Sequence, residues 1–442
     1  MASKKKALST ALPDGLFDLI PEDQSYWHFV WKKINNLLAD YSFQRIDLAP
    51  AESADLFVRA AGNDNDAAKR IISARSHGQN LAFRADLSAS LMRAYFQHNM
   101  QALSSPVKLF TSAPVIIPGD HKPKMQWRLA VHTIGDQTEA VDAELLFLGC
   151  RILESMNIGQ FTVRINTIGD TQSRTAYIKV LKEFLRHHAR TAGARVQAAL
   201  KIHPFRALEI LATENSELAG RAPQAVEHLS DSSRLHFKRL LEFLDEGHVP
   251  YIIDHTLLPT IHSGFNSPDA TTHTVWHFVY DAEQTDGTQT SPESAPIITG
   301  GRSDRLGEFI SGTKIPSAGW GLDLGMIVER LKTMQVHIPE AGARPKVFLS
   351  QLGDAAKKRS LMLFEEIRKA GIEVRYSLSK DTIKGQLRMA ARFGVRFALI
   401  FGQKEALEGT VMLRELESGI QETIPLEKII DELKKRLKRP VA

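Results

Sequence analysis

One cysteine in 442 residues, Cys150, excludes an internal disulfide and any zinc site built on cysteine ligands. No apolar run approaches the ~18 residues that a membrane-spanning helix needs, so no membrane partner is expected. The start, MASKKK, is basic but has no apolar segment behind it, so it does not read as a signal peptide. The sixteen histidines show no ligand spacing of the His-Glu-x-x-His kind, and no metal is expected. These absences fit a protein of the reducing cytoplasm.

What is present is ample apolar material, 43% of the chain, enough for about two or three domains with real cores. Charge is unevenly placed. Residues 344–442 hold 21 Lys and Arg against 13 Asp and Glu, while the whole chain is only +5, so the remainder is slightly acidic. A basic end on an acidic body suits a polyanionic partner, and equally an ordinary solvated surface.

The periodicity sets out the organisation. Residues 1–12 read as a flexible tail. Trp27, Val30, Ile34, Leu37 and Leu38 recur at helical spacing, and FQRIDLAP reads as a strand ending at Pro50. NLAFRADLSASLMRAYFQHNM reads as a strand running into a helix. Residues 106–134 alternate as strands around PGDHKPK, and a long helix is expected over roughly 136–157, with Cys150 in its core face. Residues 170–250 read as a helical insertion. Strands follow over 251–331, then an amphipathic helix at DLGMIVERLKTM. Residues 284–296 read as an exposed loop and 336–345 as a linker. The last segment, 346–442, alternates KVFLS, IEVRYSL and RFALIFG with amphipathic helices, which implies a mainly parallel sheet. His187 and His188, adjacent on a helix, are expected to point their rings apart at the surface.

The segment from Lys346 to Leu437 resembles the anticodon-binding domain of histidyl-tRNA synthetases nearly end to end. The likeness extends upstream. Residues 14–62 resemble the family's opening and dimer-forming first motif, with Pro50 closing the interface strand. Residues 199–254 resemble its helical insertion domain, and TGGRSDRL at 299–306 its glycine-rich strand turn. The resemblance implies an α+β class II synthetase-like core, an antiparallel sheet with helices, over 13–335. It also implies an α/β anticodon-binding-like domain over 346–442, homodimerisation, and tRNA or other structured RNA as partner.

Formation of an aminoacyl-adenylate rests on positioning and electrostatic stabilisation and needs no side-chain nucleophile. The family supplies three arginines for it. By register Ile117, Pro259 and Met326 fall at those three positions, and Arg330 meets the last only if the helix slips one turn. His121, Lys122 and Lys124 lie in a Pro/Gly-containing loop, and lysine lacks the fixed guanidinium fork. Arg128 stands where the family has glutamine, and His132 where it has a carboxylate. Arg84, Asp86 and Ser88 in FRADLS, and Gly300, Gly301, Arg302 and Asp304 in the glycine-rich turn, remain as ligand-pocket candidates. Arg302 and Asp304 suit a fold-holding ion pair equally well.

In the last domain Lys380, Lys384, Arg388 and Arg392 recur every four residues and line one helix face, suited to RNA phosphates or to solvent. The reading is a synthetase-like protein that lacks histidine activation and keeps dimerisation and RNA binding. Two others stay open. One is a divergent active histidine–tRNA ligase using ATP and Mg. The other is a regulatory subunit resembling that of ATP phosphoribosyltransferase, a family that usually lacks the terminal domain.

Overall fold

The computed structural model describes residues 10–62, 71–117, 122–259, 268–280, 295–338, 345–377 and 382–438. It divides into two compact units, 1–338 and 339–442.

In the first unit, helix α1 (Gln24–Asp40) leads into a short strand β1 (Gln44–Arg45), then β2 (Ala51–Ser53) and α2 (Ala54–Ala60). The expected strand FQRIDLAP is therefore only two residues long. The chain stays extended beyond it, with Ile46 N–H donating to Phe110 O. A hairpin, β3 (Ser73–Ser76) and β4 (Gln79–Phe83), pairs with β2 and precedes α3 (Leu87–Gln97). Strands β5 (Val107–Ile117) and β6 (Lys124–Ile134) form a long antiparallel ladder, followed by α4 (Glu139–Met156) and β7 (Phe161–Gly169).

The helices of the insertion come next: α5 (Thr171–His187), α6 (Ala189–Ile202), α7 (Pro204–Glu214), α8 (Ser216–Gly220) and α9 (Asp231–Glu246). Strands β8 (Tyr251–Ile253), β9 (Thr272–Tyr280) and β10 (Ile298–Arg302), helix α10 (Leu306–Ser311), β11 (Ser317–Asp323) and α11 (Leu324–Thr333) complete the unit. The stretch 284–296 lies almost wholly outside the described residues.

Eight strands form one sheet in the order β1-β5-β6-β11-β10-β9-β7-β8, antiparallel except where β1 joins β5 and β8 joins β7. One face carries the main core. There α1, α4 and α11 bring Ile34, Leu38, Leu145, Leu153 and Ile327 against Leu129, Val131, Trp276, Ile298 and Trp320. Gly300 lies between two of these tryptophans; a Cβ on it would come within 2.4 Å of Trp276 Nε1 and 2.6 Å of Trp320 Cβ. Cys150 lies in this core, where burial pushes its thiol up to about 12, which makes it inert at neutral pH. The other face of β5 and β6 is partly covered by α3. His187 and His188 do not diverge as expected. The helix ends between them, and the rings meet edge to face at 4.9 Å while His188 Nδ1 sits 3.0 Å from Phe184 O.

The second unit holds β12 (Val347–Gln351), α12 (Asp354–Lys369), β13 (Val374–Tyr376), α13 (Ile383–Arg392), β14 (Phe397–Phe401), α14 (Gln403–Glu408), β15 (Thr410–Glu415), β16 (Gln421–Pro425) and α15 (Leu426–Leu437). Its sheet order is β13-β12-β14-β15-β16. The first three strands are parallel, as the alternation implied, but β15 and β16 add an antiparallel hairpin, so the sheet is mixed. Ile429 and Leu433 of α15 close its separate core.

The end of β10 is held by charge. Arg302 is fully buried and donates to Asp142 Oδ1 at 2.8 Å, to Asp136 O at 2.7 Å and to Thr138 O at 3.2 Å, with Asp304 3.2 Å away. Removing one partner of a buried pair leaves the other charge stranded and costs ~3–5 kcal/mol. Arg302→Met is therefore expected to lower the urea midpoint strongly at unchanged slope, and Arg302→Met with Asp142→Asn to recover part of the loss; equal midpoints for wild type and single variant would refute the assignment.

Candidate nucleotide and amino-acid site

The sheet face opposite the main core carries the candidates. In β6, Leu129 and Val131 point into the core, so the two-residue period turns Arg128, Ala130 and His132 the other way. The antiparallel register sets Arg128 beside Ala113 on one side and Asp323 on the other, and His132 beside Leu109 and Gly319. Gly319 makes room for the imidazole, because a Cβ there would lie 2.7 Å from His132 Nδ1. Burial pushes His132 down to about 3, so the ring is neutral at ordinary pH.

Two helix starts supply the acids. Asp86 caps α3, accepting from Ala89 N–H at 3.0 Å, and Asp323 caps α11, accepting from Gly325 N–H at 2.9 Å. Burial raises the pKa of both carboxylates. Arg128 acts on both in the opposite sense, as do the capping N–H groups, without cancelling the effect of burial. Ser88 is buried and bonds to Asp86. Asp86, Ser88 and Arg128 thus share one neighbourhood, with Asp323 as a member that the sequence reading missed, while His132 lies on the same face four residues along β6. Its position directly before an amphipathic helix, in GLDLGMI, is the N-cap signal that could have found it.

Farther along the same face, Arg164 of β7 stands opposite His277 of β9 and donates from Nε to Asp254 Oδ2 at 2.6 Å. Burial, with Arg164 adding to it, pushes His277 down to about 4. Among the described residues, no group of three or more His, Cys, Asp or Glu is placed to hold a metal ion.

The other candidates are spent elsewhere. Arg84 Nη1 donates to Leu48 O at 3.1 Å and Nη2 to Pro114 O at 3.4 Å, which ties the segment after β1 to β5. Gly300 packs against the core tryptophans, and Gly301 stands where the β9–β10 register shifts. Arg302 points to α4. Asp304 accepts from Thr272 Oγ1 at 2.6 Å and lines a cleft of about 930 Å³ at the starts of α4, α5 and α9, which Asp86, Arg128 and His132 do not reach. In that cleft His236 meets Asp142 at 2.9 Å. Asp142 and His236 gave no sequence signal, since each is one polar residue on a long amphipathic helix.

At the three expected arginine positions, Ile117 is half-buried against Leu87, Ala113, Val115 and Ala130. Pro259 is buried at the last described residue before 268, and Met326 lies half-buried in the first turn of α11. Arg330 does not stand in for Met326. Its Nε donates to Ile158 O at 3.2 Å and its guanidinium lies over Tyr280, 5.0 Å from the ring centre. His121 lies outside the described residues; Lys122 and Lys124 are exposed.

In the second unit, Lys384, Arg388 and Arg392 are exposed along one face of α13. The opposite face is fixed by Gln386, which donates to Gln351 O at 2.7 Å and accepts from Gln351 N–H at 2.9 Å. Lys380 lies outside the described residues.

A family model described as Histidyl-tRNA synthetase matches residues 15–265, and one described as Anticodon binding domain matches 346–436. The histidine–tRNA ligase of Dehalococcoides mccartyi is 30% identical over 430 residues, 96% of this chain and 99% of its own length. That of Staphylococcus carnosus is 26% identical over 426 residues, 95% of this chain and 96% of its own. The solved apo histidyl-tRNA synthetase of S. aureus superposes with a TM-score of 0.77 at 24% identity, covering 96% of this chain and 100% of that one. An ATP phosphoribosyltransferase regulatory subunit/histidyl-tRNA synthetase from Bacillus halodurans superposes at 0.64 with 16% identity, covering 90% and 100%. These solved structures share the fold: a class II synthetase-like core and a C-terminal α/β anticodon-binding domain. With the matched family model spanning more than half the chain, and relatives alike along nearly its whole length, the chain belongs to the histidyl-tRNA synthetase family.

Proposed function

We propose that this family member does not activate histidine and acts as an RNA-binding homodimer. The observation that carries the reading is the charge balance of the sheet face. A triphosphate needs an excess of fixed cations where charge develops. Here the three expected arginine positions hold Ile117, Pro259 and Met326. The arginines that remain on the face lie beside carboxylates, Arg128 by Asp86 and Asp323, and Arg164 by Asp254. These residues do not fit ATP with Mg. An active ligase is the second reading, favoured by the names of the relatives. The regulatory-subunit reading has the Bacillus halodurans likeness behind it, but the match over 346–436 speaks for a chain that keeps its RNA-facing domain.

Losing one transition-state donor typically costs ~2.7–4 kcal/mol, and three losses should remove most activity even though such effects do not add. Purified protein is expected to show no histidine-dependent exchange of pyrophosphate into ATP. Exchange at ordinary synthetase rates would establish the ligase reading instead.

Homodimerisation is supported by β1, which is an edge strand of the eight-stranded sheet with its outer side open. Ile46 and Leu48 pack inward on the α3 cluster, while Arg45 and Asp47 are exposed. The contact is therefore expected through backbone and polar groups of residues 44–50, in an isologous arrangement. Light scattering at micromolar concentration should give a dimer mass; a monomer mass overturns this.

The stripe on α13 should bind structured RNA through phosphates, which position RNA without reading its bases. Affinity should fall steeply with salt. Replacing Lys384, Arg388 and Arg392 together with Gln should weaken binding and flatten the salt slope by about one unit per lost contact. Unchanged binding by the triple variant would make the stripe a solvated face.

A further inference from the structure

Three of the chain's five tryptophans meet outside the sheet face just described. Trp27 and Trp31 of α1, Trp127 of β6, Phe17 and Met125 wall a cavity of about 430 Å³, with Asp18 on its rim. The residues from 13 to 19 are held over it by Met125 N–H, which donates to Gly15 O at 2.9 Å. Trp27 and Trp127 stand edge to face at 5.9 Å. Trp127 satisfies its own N–H on Ser112 Oγ at 3.1 Å, which leaves the ring itself as its contribution to the cavity.

The chain segment over the cavity is acidic, although Lys332 Nζ pairs with its Asp23 at 2.5 Å, which leaves Asp18 as the carboxylate lining the cavity. Residues 7–31 contain Asp14, Asp18, Glu22 and Asp23 and neither a lysine nor an arginine. Elsewhere on α1 the chain places its own ammonium groups on aromatic rings. Lys33 Nζ lies 5.0 Å from the Phe29 ring centre, and Lys332 Nζ lies 5.9 Å from that of Tyr26. No lysine or arginine lines the tryptophan cavity. Electron-rich ring faces, a rim carboxylate and a locally negative segment together suit a desolvated organic cation.

We propose that this cavity binds a free small quaternary ammonium ligand, its methyl groups against the tryptophans and its charge opposite Asp18. The site is separate from Asp86, Arg128 and His132 and does not depend on whether histidine is activated.

The test uses the full-length protein and choline, with 3,3-dimethylbutan-1-ol as a neutral ligand of the same shape, both followed by titration calorimetry. Choline should bind saturably and the alcohol about tenfold more weakly, the factor that ~1.4 kcal/mol of cation–π and charge attraction carries. Asp18→Asn, a change at an exposed position, should weaken choline and leave the alcohol unchanged. Trp31→Leu, with its fold checked by circular dichroism, should abolish choline binding. Equal affinity for the two ligands would reduce the cavity to a plain apolar pocket and overturn the proposal. So would the absence of saturable choline binding, or wild-type binding by both variants. A trimethyllysine peptide that binds far more tightly than choline would assign the cavity to a protein partner and overturn the small-ligand reading.

Discussion

The buried guanidinium of Arg302 is the constraint on which the arrangement of the first unit turns. It joins the end of β10 to the first turn of α4 through Asp142 and to the preceding loop through two carbonyl oxygens, deep in a sheet end where a lone charge would not be tolerated. Asp142 in turn accepts from Thr274 Oγ1 at 2.6 Å, and His236 of the insertion lies 2.9 Å from it. One network therefore fixes β9, β10, α4 and α9 relative to each other. Apolar packing would stabilise such a junction as well, but hydrogen bonds at fixed angles also specify one register. In the same sheet, the β6–β11 register sets Gly319 beside His132 and Asp323 beside Arg128 on the opposite face.

The same logic bears on the proposed loss of phosphate chemistry at that face. Its charges lie close to opposite ones: Asp86 and Asp323 feel the charge of Arg128, Arg164 pairs with Asp254, and His132 is a neutral imidazole beside Gly319. Electrostatic catalysis needs dipoles and charges aimed outward at a substrate and left unneutralised by their neighbours. On the proposed reading, a face neutralised from within keeps its shape without that capacity.

Much of this was legible in the sequence, and for identifiable reasons. The strands 107–117 and 124–134 alternate cleanly, since one face meets the large core and the other meets α3 and the site. Helices α1, α4 and α11 show the 3.6-residue period because each buries one stripe in a single core. The short β1 was overread, because Ile46 and Leu48 are apolar for packing on α3 and not for ladder pairing. The hairpin β15–β16 went unread, as TVMLRE and QETIP are too short and mixed to separate from loop. In the site, the placing of Ile117, Pro259 and Met326 at the family's arginine positions rests on sequence register alone. The diversion of Arg84 and Arg330 to backbone carbonyls, and the parts played by Asp142 and Asp323, could not be read there, because they depend on contacts 30 or more residues away or on a cap.

The separation of the chain into two units makes the proposed loss of one function compatible with the proposed retention of the other. Ile117 at the end of β5 and Met326 in the first turn of α11 leave the core beneath them intact, and Ile117 adds apolar contact with Leu87, Ala113, Val115 and Ala130. The second unit has its own core, built from Val347, Leu349, Phe397, Leu399, Ile429 and Leu433, which takes nothing from that surface. The cationic face of α13 is oriented by Gln386 and Gln351 within that unit alone. On the proposed reading, Lys384, Arg388 and Arg392 can be maintained for RNA independently of the sheet face.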